Sequence, residues 1–321
     1  MSEIVINSSG MTIDDVIAVA RNGATVRISD EALAAMSTSR AVIDELARHQ
    51  EGVYGISTGF GALAQRSIPA ELRVQLQRSL VRSHAAGLGP IVEPEVVRAL
   101  MLLRLKTLCS GHTGARPEVA QTIAAVLNAQ ITPIVHEFGS LGCSGDLAPL
   151  AHCALVLMGE GEAMDAHGAL RPVPELLAAA GITPIELKEK EGLALINGTD
   201  GMLGMLILSI ADLDRLANAA DLTAAMSVEG LLGTDAVFRP ELHAPLRPHP
   251  GQAVSAARMY TALAGSGIVA SHKENDSRVQ DAYSLRCAPQ VTGALRDTIE
   301  YARVVAPVSY THLRAHETRE D

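Results

Sequence analysis

Aromatic side chains are scarce in this chain. Only three of its 321 residues are Phe, five are Tyr and none is Trp. Hydrophobic residues still make up 48% of the sequence, so the core must be built from Ala, Leu, Val and Ile. Because Ala and Leu favour helices, this composition predicts a helical protein. The length is enough for one large domain or two ordinary ones.

The chain also has fewer basic than acidic residues, few cysteines and no long uninterrupted apolar run. The chain has 26 basic and 36 acidic residues, a net charge of −10, which argues against nucleic-acid and anionic-membrane partners because both require a basic face. Its four cysteines form no C-x-x-C pair, and no metal site is expected. Residues 1–4 do not resemble a signal peptide, so we expect a cytoplasmic protein with reduced thiols. No charge-free run reaches the roughly 18 residues that suggest a membrane span.

Capping residues and apolar spacing predict helices along most of the chain. Thr12, followed by Asp15 three residues later, indicates one helix start, and Asp30 indicates another after a short strand at 24–29. Residues 93–109 are apolar on every side and predict a buried helix. Residues 202–232 predict a long, very apolar helix of a bundle, with enough polar positions to exclude a membrane span.

Other stretches are predicted to be less regular. Residues 164–173 indicate a hairpin, and the charges of 188–191 indicate a solvated helix face. Residues 268–278 are polar and are expected to be extended or mobile. A final helix is predicted over 291–305.

The stretch Gly139–Leu147 is the strongest candidate site, because its glycines permit turns that other residues forbid. Two chemistries fit it. Ser144 could be the nucleophile of a hydrolase. Alternatively, the Gly145 nitrogen could attack the Cys143 carbonyl while Ser144 loses its hydroxyl as water, leaving an electrophilic ring with an exposed methylidene.

Two familiar motifs are incomplete here. Asp146 stands where the nucleophile elbow of a serine hydrolase requires its second glycine. The pattern Gly59-x-Gly61-x-x-Ala64 resembles a dinucleotide fingerprint, but the acidic residue expected about 20 positions later is missing. The hydrolase therefore stays a weaker rival, and the dinucleotide site is rejected.

Five motifs together resemble the aromatic amino acid ammonia-lyase family. They occur in the family's order over essentially all of residues 10–306, and they match its histidine-specific members best. The motifs are Tyr54–Gly61, Ser83–Gly87, Gly139–Leu150, Asn197–Thr199 and Gln280–Cys287.

The resemblance implies a mainly α fold. An α-rich N-terminal domain with small β elements would carry the self-cyclising loop and lead into a bundle of long helices. Cys143, Ser144 and Gly145 would form a 4-methylidene-imidazol-5-one group with no external cofactor. The expected reaction is elimination of ammonia from L-histidine to give trans-urocanate. A tyrosine or phenylalanine ammonia-lyase, or an aminomutase on the same scaffold, stays an alternative.

The resemblance also assigns residue roles. Tyr54 would remove the β-proton, and Tyr283 would act beside it as a further catalytic residue. His84 would contact the substrate imidazole, and Arg286 would hold the carboxylate with its planar fork. Asn197 and Gln280 would line the ring and the amine.

Some positions depart from the family pattern. Ser57 and Asp200 stand where relatives usually carry Asn and Gln, and neither is expected to abolish activity. The family's C-terminal half is missing, so we expect this chain alone to be inactive and prone to aggregation through its apolar 202–232 surface. The full-length protein is expected to be a homotetramer. A non-catalytic interaction body is a further alternative.

The sequence predicts three segments. They are a loop-bearing domain at 1–200, the first part of the bundle at 201–307, and a tail at 308–321. The tail resembles a translated sequencing adaptor and fits no regular period, although a genuine polar tail is the alternative.

Overall fold

The fold is mainly α-helical, which confirms the predicted class. The chain divides into two compact units: Met1–Ile207 together with the chain from Ala306, and Leu208–Val305. The predicted domain boundary after residue 200 stays a prediction. The computed structural model describes residues 2–49, 52–141, 145–243 and 245–311.

The first unit consists of helices with short strands between them. Its helices are α1 (Ile13–Asn22), α2 (Asp30–Leu46), α3 (Ala70–His84), α4 (Pro94–Cys109), α5 (Pro117–Asn128), α6 (Leu147–Leu157), α7 (Val173–Ala179) and α8 (Glu191–Ile196). Its strands are β1 (Glu3–Ile6), β2 (Thr25–Ile28), β3 (Leu88–Ile91), β4 (Thr132–Pro133), β5 (His136–Phe138), β6 (Glu162–Met164) and β7 (Leu170–Pro172).

Local sequence signals explain the start of the chain. The Thr12 side chain accepts from the Asp15 amide while the Asp15 carboxylate accepts from the Thr12 amide, the capping box that was predicted. The cap of α2 is Ser29, whose Oγ accepts from the Ala32 amide at 3.2 Å. The predicted cap, Asp30, is the first residue inside the helix.

The core of the first unit surrounds α4, which is buried from Val97 to Cys109 as predicted. Three cations, Arg98, Arg104 and Lys106, lie on this helix, and each donates to at least one backbone carbonyl. Arg98 donates to the Val19 carbonyl at 2.9 Å, and Lys106 Nζ donates to the Asn7 carbonyl at 2.7 Å. Burial lowers the pKa of Lys106. These hydrogen bonds offset part of the free-energy cost of burying the charged side chains.

The described strands form three small sheets, and the candidate loop directly follows a strand of one of them. β1 and β2 pair in parallel, β3 and β5 pair antiparallel, and β4, β6 and β7 form an antiparallel sheet that includes the predicted hairpin. β5 ends at Phe138 and α6 begins at Leu147. The candidate loop is therefore the connection between a sheet edge and a buried helix.

The long predicted helix is α9, which covers Asp200–Gly230. By length and composition alone, the segment Glu191–Gly230 passes as a membrane span. The core helices of water-soluble proteins pass the same test, and 61% of its most apolar window is buried in the protein.

The second unit has its own small core. Its further helices are α10 (Pro250–Leu263), α11 (Gly267–Ser271), α12 (Tyr283–Arg286) and α13 (Ala288–Thr311). The core residues are Ala225, Val228, Phe238, Met259, Leu263 and Val269.

Two local predictions are wrong. Residues 268–278 are not wholly extended, because Ser266 caps α11 through its Oγ and the Val269 amide at 3.1 Å. The last helix is also longer than predicted, since it continues through Pro307 to Thr311 and so enters the stretch assigned to the tail.

Candidate active site

The loop is closed at its base by Leu141 and Gly145. The Leu141 amide donates to the Gly145 carbonyl at 3.0 Å, and the Gly145 amide donates to the Leu141 carbonyl at 2.7 Å. Gly145 has φ +83°, and a Cβ there would collide with the Gly198 carbonyl. Cys143 and Ser144 lie outside the described residues. The two described ends of the loop are therefore hydrogen-bonded to each other.

Asp146 fixes the loop to the start of α9. Its carboxylate accepts from Ser140 Oγ at 2.6 Å, from the Gly201 amide at 2.7 Å and from the Met202 amide at 3.0 Å. The side chain is buried. Amides at a helix start have no partner within their own helix, so this carboxylate caps α9 from a distant part of the chain.

The short helix α8 connects the site residues of the first unit. Before it, the Lys190 amide donates to the Gly55 carbonyl at 3.0 Å, next to Tyr54. Within it, the Gly192 amide donates to Gln77 Oε1 at 2.9 Å, on the helix that ends at His84. The helix ends at Asn197.

The segment after α8 reaches the loop. The Asp146 amide donates to the Gly198 carbonyl at 2.7 Å. The predicted residues Tyr54, His84, Asn197 and Gly145 therefore lie on segments that are tied to one short stretch of chain.

The charged residues before α8 are not a solvated face, which corrects the prediction for 188–191. Lys190 and Glu191 are both buried. The Glu191 carboxylate accepts from Arg116 Nε at 2.7 Å and from the Lys188 amide at 2.7 Å. Arg40 Nη1 lies 3.7 Å from it. A local charge pattern cannot reveal such pairing, because the partners come from other helices.

A second buried pair lies beneath Gly198. Arg104 forms an ion pair with Asp200 and donates to the Ala194 carbonyl at 3.1 Å. Burial raises the pKa of the Asp200 carboxyl, and the guanidinium beside it opposes that shift. A Cβ at Gly198 would collide with the Arg104 guanidinium. The backbone at Gly198, next to the predicted site residue Asn197, is thus packed directly against the buried Arg104 guanidinium.

Tyr54 lies in a tight turn closed by the Val53 carbonyl. That carbonyl accepts from the amides of Ile56, Ser57 and Thr58 at 3.1, 3.0 and 3.3 Å. The Tyr54 ring meets the Phe60 ring edge-to-face, with centroids 5.8 Å apart. Tyr54 is 38% exposed.

His84 is the last residue of α3, and its ring is held by the helix end. Its Nδ1 lies 2.8 Å from the Leu80 carbonyl and 3.1 Å from Ser83 Oγ. A carbonyl can only accept, so Nδ1 carries the proton that bonds it. In the neutral ring Nε2 is then an acceptor.

A second histidine, His152, holds the chain after His84. The Gly87 amide donates to His152 Nε2 at 3.1 Å. The His152 ring meets the His136 ring edge-to-face at 5.6 Å. Burial, with a smaller effect from His136, lowers the pKa of His152, which favours the neutral form that can accept this bond. His152 is packed, as the sequence indicated, but it also positions the segment.

The remaining predicted residues belong to the second unit. Arg286 stacks on the Tyr283 ring, with its guanidinium carbon 4.1 Å from the ring centroid. The Arg286 Nε is buried and makes no hydrogen bond among the described residues. Gln280 is exposed, and its neighbour Asp281 accepts from the Thr234 amide at 2.7 Å.

Three supporting residues were missed by sequence reasoning: Asp146, Gln77 and Lys190. Asp146 stands inside the quoted loop, yet its role as the cap of α9 depends on residues 55 and 56 positions away. No local signal marks Gln77 or Lys190.

The fold is mainly helical, and its glycine-rich loop is hydrogen-bonded to a segment that also connects the predicted Tyr, His and Asn residues; these features match a known class. Residues 11–311 match the family model described as "Aromatic amino acid lyase", and the chain belongs to this family.

Comparison with individual proteins shows which members of this family the chain is similar to. The chain is 65% identical over 306 residues to the histidine ammonia-lyase of Streptomyces avermitilis, a match that covers 95% of this chain and 60% of that protein. Among solved structures, the histidine ammonia-lyase of Trypanosoma cruzi matches with a TM-score of 0.85 and 35% identity over 98% of this chain and 57% of that one. The tyrosine aminomutase of Streptomyces globisporus gives a TM-score of 0.89 and 36% identity over 98% of this chain and 62% of its own. This chain therefore spans about 60% of the length of the curated relatives that it matches.

Proposed function

We propose that this chain belongs to a histidine ammonia-lyase, a carbon–nitrogen lyase that eliminates ammonia from L-histidine to give trans-urocanate. The 65% identity to the Streptomyces avermitilis enzyme supports this substrate. The observation that carries the proposal is the loop pinched between Leu141 and Gly145 and tied to the segment after Asn197. The bond from the Asp146 amide to the Gly198 carbonyl, next to Asn197, supports a shared site for the loop and this segment.

We propose that Cys143, Ser144 and Gly145 cyclise to 4-methylidene-imidazol-5-one. The residues present fit this group, because the two bonds between Leu141 and Gly145 shorten the loop and Gly145 has no Cβ to hinder its nitrogen. That nitrogen would bond the Cys143 carbonyl carbon, whose oxygen leaves as water. Ser144 would lose its hydroxyl and its α-proton as a second water. The group supplies an electrophile for the substrate, a form of covalent catalysis.

The chain's own residues bind the substrate and move its proton. Tyr54 removes the β-proton through its hydroxyl. His84 accepts a hydrogen bond from the substrate imidazole at Nε2, since its Nδ1 is already committed to Leu80. This assignment would favour histidine over phenylalanine, whose ring carries no polar hydrogen; tyrosine, with a hydroxyl that can donate, is distinguished by the product assay.

The second unit supplies carboxylate binding. Arg286 pairs with the substrate carboxylate through its planar fork. Stacking on Tyr283 already restricts the guanidinium, so less entropy is lost when the carboxylate binds. Tyr283 acts in catalysis, and Gln280 and Asn197 line the ring and the amine.

Intact-mass spectrometry tests cyclisation in this chain. We expect the purified protein to be lighter than its sequence by two water molecules, and the Ser144→Ala variant to lack this loss. Full mass in the parent chain would contradict the proposal. A serine hydrolase would instead keep full mass and label at Ser144 with a fluorophosphonate.

Substrate specificity is tested with the protein expressed from the intact gene. L-Histidine, L-tyrosine and L-phenylalanine are supplied separately, and the products are separated by chromatography. We expect urocanate from L-histidine and none with Ser144→Ala. A β-amino acid product from L-tyrosine would favour an aminomutase, the activity named for the Streptomyces globisporus neighbour.

We also propose that the working protein is a homotetramer. Large apolar side chains of the second unit are exposed in the single chain, among them Leu216, Leu222 and Met226. Exposed apolar surface of this kind marks contact sites. Light scattering after size-exclusion chromatography of the intact gene product should give four chains, and a monomer would refute this assembly.

A further inference from the structure

Lys190 has a backbone conformation that does not suit a lysine. Its φ is +74° and its ψ −24°, in the left-handed region. A side chain with a Cβ is strained there, whereas glycine adopts this region freely. The backbone alone therefore gives no reason for a lysine at this position.

The Lys190 side chain lies on the turn that carries Tyr54. A Cβ built on Gly55 would lie 3.5 Å from Lys190 Cδ and 3.7 Å from its Nζ. The residue is only 5% exposed. Its amide also donates to the Gly55 carbonyl at 3.0 Å. The Lys190 backbone thus bonds Gly55, the neighbour of the proposed base, and the Lys190 side chain occupies the space that a side chain at Gly55 would need.

Lys190 is at the same time the residue before α8. The carboxylate of the next residue, Glu191, is held by Arg116, with Nε–O 2.7 Å. The other end of α8 is Asn197. This anchored helix thus connects the Tyr54 turn with a proposed substrate-binding residue.

We propose that Lys190 is a positioning residue for Tyr54. Its side chain packs over Gly55 and holds the Val53–Thr58 turn against α8, so that the base keeps its place relative to Asn197. The inference rests on the proposed function for the role of Tyr54. The contact itself can be tested independently of that role.

Three substitutions of Lys190 distinguish the effect of its backbone conformation from the effect of its side chain. Lys190→Gly keeps the amide and relieves the backbone, Lys190→Met keeps most of the length without the charge, and Lys190→Arg keeps both. Lys188→Met is the matched control, because Lys188 pairs only with Glu186 at the surface among the described contacts of its side chain.

The first measurement is amide hydrogen exchange in this chain. We expect Lys190→Gly to speed exchange of the Ile56, Ser57 and Thr58 amides by about tenfold, since the turn opens locally more often without the packed side chain. Lys190→Met, which keeps most of the packed length, Lys190→Arg and Lys188→Met should stay close to the parent chain. The thermal midpoint of Lys190→Gly should be equal or higher, because glycine suits the backbone.

The second measurement is turnover of L-histidine by the intact gene product. We expect Lys190→Gly to lower kcat about tenfold with KM within about threefold, because the base and not the binding groups is misplaced. Lys190→Arg should recover most of kcat.

The outcomes separate the two proposals. Unchanged exchange of the turn in Lys190→Gly, or unchanged kcat in an active enzyme, would overturn the positioning role while leaving the lyase intact. No turnover by the parent enzyme would overturn the proposed function. The exchange data would then still decide whether Lys190 holds the turn.

Discussion

At the scale of single residues, His152 shows how a packed side chain serves the site. It accepts from the Gly87 amide, three residues after His84, and only a neutral imidazole nitrogen can accept. Burial lowers its pKa below the ordinary value of 6.5. The folded chain therefore binds a proton here less readily than the unfolded chain does.

This difference predicts a pH-dependent stability. The contribution of His152 is complete above its unfolded pKa of about 6.5 and is lost as the pH falls below that value, because the unfolded chain gains a proton first. The loss amounts to about 1.4 kcal/mol for each unit by which the pKa is lowered.

Urea unfolding at several pH values measures it. We expect His152→Gln to unfold with a shallower pH dependence below about pH 6.5 than the parent chain. The exposed His112→Gln serves as the control and should keep the parent's slope. An identical slope in all three proteins would show that His152 does not titrate as described.

At the scale of elements, α8 is short and depends on its surroundings. Isolated helices of this length are not stable in water, so its position comes from long-range contacts. Glu191 at its start accepts from Arg116 and from the Lys188 amide, and its side chain is inaccessible to solvent.

Removing this charge should destabilise the first unit. Glu191→Gln leaves Arg116 without its ion-pair partner and turns an amide NH₂ toward cations. We expect a loss of about 3 kcal/mol in the free energy of unfolding, typical of breaking a buried pair. Chemical denaturation followed by circular dichroism measures the loss.

The matched control is the exposed Glu186→Gln, which removes only a surface pair with Lys188. It should unfold like the parent chain. If Glu191→Gln also behaved like the parent, α8 would owe its position to apolar packing alone.

At the scale of the whole molecule, the predicted site residues are distributed over the two units along the chain. Tyr54, His84 and Asn197 belong to the first, while Tyr283 and Arg286 belong to the second. Each unit has its own buried core. The reactivity of the buried cysteine thiols tests whether the core of the first unit is packed as described.

Cysteine labelling should follow burial. Cys109 and Cys153 are buried, whereas Cys287 is partly exposed. Burial raises the pKa of the Cys109 thiol to about 12 and also raises that of Cys153, so neither forms the reactive thiolate at neutral pH. Peptide mapping after iodoacetamide treatment should show Cys287 modified in the native protein and the other two only in urea. Native labelling of Cys109 as fast as Cys287 would contradict this core.

Much of the fold was predictable because its signals are local. The Thr12–Asp15 capping box and the uniformly apolar α4 were read correctly, since caps and apolar spacing act within a few residues. The last helix was predicted to end at 305, whereas α13 continues through Pro307 to Thr311.

The sequence by itself determined the mainly helical fold and the family, because composition, periodicity and the order of motifs are written along the chain; the residues that it assigns to the chemistry stay a prediction. Only the tertiary structure decided how the loop and its neighbours are held. Glu191 pairs with Arg116 across 75 residues, and Arg40 reaches the Glu189 carbonyl across 149. Such pairing buries charges that a local pattern assigns to solvent, since burial depends on partners that only folding brings together. The loop at Gly139–Leu147 was recognised from its residues, but its closure and its attachment to α8 depend on those long-range contacts.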